Sequence, residues 1–346
     1  MKVLVNTPHL KLLGGVANHY IGLADYWNET VKYNEVGRRG VVSGIYWLPI
    51  DVIIFIWKLI SFRPDIVLLN PSLSKNAIKR DQIFLRISRL FGRKIAVFFH
   101  GFNLSNVKDV DVVTLTRNLN RTVCVFVLAQ EFASALRSWG VTVPIHLATT
   151  KVDDRLIDSF DVSTRSGDVR TILFLARIAE NKGIFIALDT FKKILESKPH
   201  MRLKVVGDGP ALNEAKRICQ HNDILNVEFT GALKGMELVG AFQDSDLYFL
   251  PTYYEGMPTS VLEAMAFGLP VVTRPVGGLC DFFESGRMGQ MVDSLNPDDF
   301  ADAILDLIKD QEKNKEIALY NASYAKDNFM ASKVAGKIEG VLKTYL

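Results

Sequence analysis

The sequence predicts two doubly wound α/β domains of comparable size, on three observations. The chain has 346 residues, and at roughly 100–200 residues per domain that length holds two cores. Short continuous apolar runs, the pattern of parallel strands buried on both faces, alternate with helical patterns along most of the chain. One polar stretch, SFDVSTRSGD at 159–168, breaks the alternation near the middle and places the joint at 165/166. Domains 1–165 and 166–346 are then expected to face each other, the strand carboxyl ends of both opening on one cleft. The last helix is expected to pack back on the first domain.

The first half opens on Lys2–Asn6, a buried strand whose apolar run is too short for a secretory leader. Strands follow at Asp65–Asn70, Lys94–His100 and Val123–Ala129. Between the first two lies Ile45–Phe62, IYWLPIDVIIFIWKLISF, the most apolar stretch. Pro49, Asp51 and Lys58 interrupt it, so it reads as a largely buried helix starting near Pro49 rather than a membrane span. A helix at Asn76–Phe91 interleaves Ile78, Ile83, Leu85, Ile87 and Leu90 with basic residues. In the second half, strands are expected at Thr171–Ala176, Arg202–Gly207, Asn226–Thr230, Asp246–Pro251 and Pro270–Thr273. Ile184, Ala187, Leu188, Phe191 and Leu195 share one face of the helix between the first two of these. This order is that of α/β folds with parallel sheets.

Composition excludes several classes. At 48% hydrophobic and 23% charged, the chain is neither disordered nor collagenous. Cys124, Cys219 and Cys280 are scattered and form no CxxC pair, which fits buried thiols in a reducing compartment. The net charge of +3 conceals +8 in residues 1–165 and −5 in the remainder. The basic half carries no nucleic-acid recognition motif, so nucleic acid is not an expected partner.

Three segments stand where ligands meet such folds. After the first strand, Gly14-Gly15 precede a helix from Ala17, and paired glycines there let a phosphate approach backbone N–H groups. LFLARIAENKG at 173–183 places Arg177 and Lys182 after a strand, a fork and a point charge suited to two phosphates. LPTYYEGMPTSVLEAMAFGLPVV at 250–272 puts Glu255 before a helix and Glu263 on it. Pro258 suits its first turn, Gly268 its cap and Pro270 its stop. Carboxylates accept from sugar hydroxyls, and the free N–H groups of Gly256, Met257 and Thr259 can hold oxygens.

With these residues in place the sequence resembles the retaining glycosyltransferases of the GT-B fold, in the large family-four group (glycosyl transferases group 1). Glu255 and Glu263 meet the E-x7-E pattern, Arg177 and Lys182 the basic pair, and VVGDGP at 205–210 lies between them. VEFTGAL at 227–233 and Gly277-Gly278 also fit. In the first half the likeness rests on Gly14-Gly15 and on His100-Gly101 after the strand KIAVFF.

The resemblance implies two Rossmann-like domains and a hexosyltransferase that takes a nucleotide-diphosphate sugar. Arg177 and Lys182 would neutralise the departing diphosphate in place of a metal, so no cofactor or divalent ion is expected. Glu263 would accept from the ribose and Glu255 from the donor sugar, with the backbone of Gly256, Met257, Pro258 and Thr259 beside it. Gly14 and Gly15 would approach the diphosphate from the other domain. His100 would point towards the transferred sugar; its alternative is an ordinary strand-end histidine. Two departures stand out: Asn181 where the family carries Glu, and PTYYEG where PS is usual.

Asp109-Val-Asp111 and Asp244-Ser-Asp246 match D-x-D, the metal–nucleotide signature of the other major glycosyltransferase fold, but so short a match arises by chance. Gly207 and Gly209 suggest a dinucleotide fingerprint whose third glycine is replaced by Leu212. The rival readings are a sugar-nucleotide epimerase or phosphorylase on the same scaffold and a non-catalytic nucleotide-sugar-binding subunit.

Residues 76–94 hold six cations against one acid, Asp81. They suit either a solvated helix face or an anionic membrane surface. The resemblance favours the second. The resulting expectation is a cytoplasmic enzyme, peripheral at the inner face of the cell membrane, that serves a glycan or lipid-linked acceptor in cell-envelope polysaccharide synthesis.

Overall fold

A computed structural model describes the chain except residues 12–13, 39–43, 102–106 and 108–109, and leaves the side chain of residue 45 undescribed. The chain forms two compact units: unit 1 is Met1–Lys151 with Ala331–Leu346, and unit 2 is Val152–Met330.

Unit 1 runs β1 (Lys2–Pro8), α1 (Gly15–Leu23), β2 (Thr30–Val36), α2 (Gly44–Ser61), β3 (Ile66–Leu69) and α3 (Lys75–Leu90). It continues with β4 (Lys94–Phe99), α4 (Val112–Leu119), β5 (Cys124–Val127), α5 (Gln130–Ser138) and β6 (Ile145–Leu147). Its strands form one sheet in the order β2-β1-β3-β4-β5-β6, with every neighbouring pair parallel. β3 and β5 are buried along their whole length, which is why they read as unbroken apolar runs.

Unit 2 runs β7 (Thr171–Leu175), α6 (Ile184–Ser197), β8 (Arg202–Val206), α7 (Leu212–His221), β9 (Val227–Gly231) and α8 (Gly235–Gln243). Then come β10 (Leu247–Leu250), α9 (Thr259–Ala266), β11 (Val271–Thr273), β12 (Gly289–Met291), α10 (Pro297–Lys309) and α11 (Gln311–Asn328). The parallel order is β12-β11-β10-β7-β8-β9. Two six-stranded parallel sheets flanked by helices make this a protein of two Rossmann-like domains. A last helix, α12 (Ala331–Lys343), returns to unit 1 and packs on α1. Glu339 there accepts from the Glu29 amide at 2.8 Å, and Lys343 pairs with the Glu29 carboxylate at 2.6 Å.

The chain passes between units at Lys151–Val152, ahead of the 165/166 joint expected from the polar stretch. The cause is Arg165, whose guanidinium donates to the carbonyls of Phe242, Ser245 and Phe267, tying its segment to the ends of α8 and α9. Phe160 packs on Phe267 in the same region, so a polar composition here marks a well-anchored strap.

The apolar segment at 45–62 also departs from expectation. Its helix starts at Gly44, carries Pro49 in its second turn, and is not largely buried. Phe55 and Leu59 enter the core while Tyr46, Ile50, Ile53, Trp57 and Ile60 are exposed. No helix among the described residues is long and apolar enough to cross a membrane.

Candidate active site

In unit 2 the expected residues gather on loops at the carboxyl ends of β7, β10 and β11. The loop after β7 makes a short 3-10 turn at Glu180–Lys182 and stops on Gly183, which caps α6. Gly183 has φ of 78°, and a Cβ there would lie 2.1 Å from the Pro251 carbonyl oxygen. Only glycine lets the β7 and β10 loops touch so closely. The Asn181 carbonyl then accepts from the Tyr253 amide at 3.0 Å and the Thr252 hydroxyl at 3.1 Å. Both departures from the family pattern are thereby accounted for: Asn181 acts through its backbone, and Thr252 supplies a hydroxyl.

This clamp brings Lys182 and Glu255 together. Lys182 Nζ donates to Glu255 Oε1 at 2.5 Å, both side chains being mostly covered. The next loop secures the pair's far side: Gly278 N donates to Gly256 O at 2.8 Å. Gly277, with φ of 52°, sits where a Cβ would fall 2.2 Å from the Glu255 carbonyl oxygen. Pro258 is the N-cap of α9 rather than part of its first turn, and no side chain caps this helix. Thr259 opens α9, whose N-terminus presents backbone N–H groups to the loop that carries Glu255, Gly256 and Met257. Glu263, 9% exposed, lies one turn further along α9.

Beneath them Tyr248 bridges the Leu175 carbonyl and Ser260 Oγ, at 2.9 and 2.7 Å. Burial pushes its phenol well above the ordinary tyrosine range. Arg177 is exposed and makes no hydrogen bond or ion pair among the described residues. A covered cation–carboxylate pair, a second cation with no partner and an uncapped helix N-terminus together suit an anion carrying hydroxyl groups.

The VVGDGP loop has a different part. A Cβ on Gly207 would lie 1.9 Å from Ala176 O, and one on Gly209 2.2 Å from Ile178 O. Ile178 N bonds Asp208 O and Ala211 N bonds Ile178 O, both at 3.0 Å. These glycines let the loop after β8 pack against the loop after β7.

The D-x-D pair of unit 2 lies at the other end of that unit's sheet. Asp246 accepts from the amides of Arg170 and Thr171 at the amino end of the sheet, and Asp244 caps α8. Asp111 caps α4 through Thr114 N, and Asp109 lies outside the described residues.

In unit 1 the carboxyl ends of β1, β3 and β4 carry Gly14-Gly15, Asn70 and His100. Gly14 is the N-cap of α1, with extended backbone. A Cβ on Gly14 or Gly15 would meet nothing within 4 Å among the described residues, so no described neighbour requires glycine there. His100 is half-buried. Asn70 Nδ2 donates to the Asn6 carbonyl at 3.0 Å, which turns Oδ1 towards Tyr20 OH at 2.6 Å and His100 Nε2 at 3.0 Å. The acceptor oxygen assigns the proton to Nε2, leaving Nδ1 as an acceptor without a partner among the described residues. Burial lowers the His100 pKa to about 3, so the ring is neutral.

α1 joins the glycine pair to this histidine. The rings of His19 and Tyr20 stand edge-on to His100, with centroids 4.7 and 5.6 Å away. His19 is itself buried and held neutral, by burial first and by the neighbouring His100 second. Asn70, Tyr20, His19, Thr252 and Tyr248 were not foreseen. Asn70 could have been, since it ends an apolar run as His100 does.

Residues 157–323 match the model of the family described as glycosyl transferases group 1. D-inositol 3-phosphate glycosyltransferase of Corynebacterium jeikeium is 31% identical over 164 residues, 45% of this chain and 39% of that protein. A putative colanic acid biosynthesis glycosyltransferase, WcaL of Salmonella typhimurium, is 25% identical over 212 residues, 58% of this chain and 51% of that protein. The chain thus spans about half, or less, of the length of these curated relatives. The crystal structure of Anabaena Alr3699/HepE in complex with UDP and glucose superposes with a TM-score of 0.77 at 17% identity, covering 99% of this chain and 100% of that one.

Proposed function

Taking as premise that the chain is a member of the group 1 glycosyl transferases, we propose that it transfers a sugar from a nucleotide-diphosphate sugar to a glycan or lipid-linked acceptor, with retention at the anomeric carbon. The observation that carries this reading is the Lys182–Glu255 pair, which joins the loop that also carries Arg177 to the loop that leads into the uncapped start of α9. On binding, the diphosphate takes over the charge of Lys182 and Arg177, and Glu255 turns to the sugar hydroxyls. Glu263 accepts from the ribose, and the backbone of Gly256, Met257, Pro258 and Thr259 lies along the sugar. Gly14 and Gly15 give room for backbone approach to the diphosphate, and His100 serves the transferred sugar.

In the step itself, the acceptor hydroxyl attacks the anomeric carbon on the face the phosphate leaves. The carbon–oxygen bond to phosphate breaks with its electron pair going to the phosphate oxygen, which takes the acceptor proton. Arg177 and Lys182 stabilise the developing charge, so the reaction needs no divalent metal. Fold neighbours were solved with UDP, with UDP-glucose and with UDP and glucose, which supports a donor of this class. Relatives named for a colanic acid pathway and for a spore coat support a place in envelope polysaccharide synthesis. We place the enzyme in the cytoplasm, peripheral at the inner face of the membrane through the basic segment 76–94.

Incubation with a labelled donor, with and without acceptor, tests the reading. Transfer that requires acceptor and keeps the donor's anomeric configuration by NMR supports it. Epimer formation from donor alone, phosphorolysis, or binding without turnover would each assign the chain to one of the rival functions.

A further inference from the structure

Thr252 begins the loop that leaves β10 and is wholly buried. Its hydroxyl oxygen lies within reach of three acceptors: the Asn181 carbonyl at 3.1 Å, the Tyr254 carbonyl at 3.3 Å and Glu255 Oε1 at 3.4 Å. A hydroxyl carries one proton and donates to one acceptor at a time. The shortest distance assigns that proton to Asn181. Asn181 does not depend on it, because the same carbonyl accepts from the Tyr253 amide at 3.0 Å.

Glu255 has more use for the proton. Among the described residues its carboxylate has two donors, Lys182 Nζ at 2.5 Å and the Thr252 hydroxyl, and both address Oε1. Its side chain is 15% exposed, so its charge relies on donors from the protein more than on bulk water. On the transferase reading the diphosphate draws Lys182 away, and Thr252 is then the remaining protein donor on Glu255. Rotation about the Cβ–Oγ1 bond swings the proton from Asn181 to Oε1 while the threonine keeps its rotamer. Branching at Cβ makes that rotamer stiff, so the hydroxyl oxygen stays in place through the exchange.

We propose that Thr252 is a positioning residue for Glu255: when a nucleotide-diphosphate sugar takes Lys182, the Thr252 hydroxyl turns from the Asn181 carbonyl to Glu255 Oε1 and holds the carboxylate with Oε2 facing the sugar hydroxyls. The inference deepens the transferase reading and rests on it. It assigns Thr252 to recognition of the sugar and not of the diphosphate, which separates the two halves of the donor. The loop itself is held by backbone, through Tyr253 N to Asn181 O, so its path does not hang on the hydroxyl.

Calorimetry of the full chain tests this with paired ligands: UDP and UDP-glucose, GDP and GDP-mannose, ADP and ADP-glucose. Thr252→Val keeps the shape and removes the hydroxyl. It is expected to weaken the nucleotide sugar about tenfold and the bare diphosphate about twofold at most, since only the sugar meets Glu255. Thr252→Ser is expected to restore the affinity to within about threefold, because it returns the donor. In a Glu255→Ala background Thr252→Val should add about twofold or less, the two residues acting through one contact. In a crystal structure with the nucleotide sugar, the distance from Thr252 Oγ1 to Glu255 Oε1 is expected to contract to about 2.7 Å. That readout stands even if Thr252→Val does not fold. Equal weakening of sugar and diphosphate overturns the inference, since Thr252 then only supports the loop. Unchanged affinity of Thr252→Val for the nucleotide sugar overturns it too, as does an Oγ1–Oε1 distance in the complex that stays at 3.4 Å. These outcomes leave the transferase reading standing, whereas a wild-type chain that binds none of the three pairs removes that reading and the inference with it.

Discussion

In unit 2 the loops leaving β7, β8, β10 and β11 lock together through backbone, and glycines 183, 207, 209 and 277 sit where any Cβ would strike a neighbouring carbonyl. In unit 1 the strand ends are tied by side chains: Asn6, Asn70, Tyr20 and His100 hydrogen-bond one another, and a Cβ on Gly14 or Gly15 would meet no described residue. Charge divides the same way. Unit 1 holds 22 Lys+Arg against 10 Asp+Glu, whereas unit 2 holds 19 against 28. A glycine in a motif thus has two meanings. At the four glycines of unit 2 it is a requirement of the fold, and at Gly14 and Gly15 no described neighbour requires it.

The charge pair carries the largest expected effect. Lys182→Ala and Glu255→Gln are each expected to cut turnover by about 10²–10³ with little change in melting temperature. A loss below tenfold would remove the pair from the reaction. Next are the glycines. Gly207→Ala should cost about 2–4 kcal/mol of stability, and Gly14→Ala within about 0.5 kcal/mol, while only the latter weakens the nucleotide response of a folded protein. Equal destabilisation in urea melts would erase the distinction between units.

The buried histidines predict an acid-sensitive unit 1. His100 has a folded pKa of about 3 against 6.5 unfolded, so between those values the unfolded chain binds the proton and the folded one does not. Its neutral form is accommodated in full above pH 6.5, and stability falls as pH drops towards 3. From pH 7 to 5 this amounts to about 2 kcal/mol, with His19 acting in the same direction. His19→Phe should flatten the slope of stability against pH; an unchanged slope would show that His19 does not titrate on unfolding. Asn70→Leu is expected to act locally. It leaves Tyr20 OH and His100 Nε2–H without their acceptor, at about 1–2 kcal/mol, and ring ¹⁵N shifts should show His100 losing its Nε2–H tautomer.

The sequence made the central strands of both sheets legible because burial on two faces forces unbroken apolar runs such as IVLL and CVFV. It concealed β2, TVKYNEV, whose half-exposed pattern mixes polar residues into an edge strand, and β6 and β12, which have three residues each. The polar strap at 159–168 was misleading since Arg165 is satisfied by distant backbone carbonyls, which composition does not reveal. Glu255, Lys182 and Gly256 stood out because the chemistry and the spacing agree. Tyr20 did not, since its role depends on α1 meeting β3 and β4 in space. Likewise, the apolar letters of 45–62 fixed a helix but not which face the core would cover.

The central claim is that unit 2 holds a nucleotide diphosphate on Arg177 and Lys182 without a metal. A thermal-shift panel of uridine, guanosine and adenosine diphosphates and their sugars, with and without chelator, tests it most directly. At least one nucleotide is expected to raise the melting temperature, chelator to leave the shift intact, and Arg177→Ala with Lys182→Ala to abolish it. Absence of any nucleotide response would contradict the claim, and a shift lost with chelator would return the diphosphate to a metal ion.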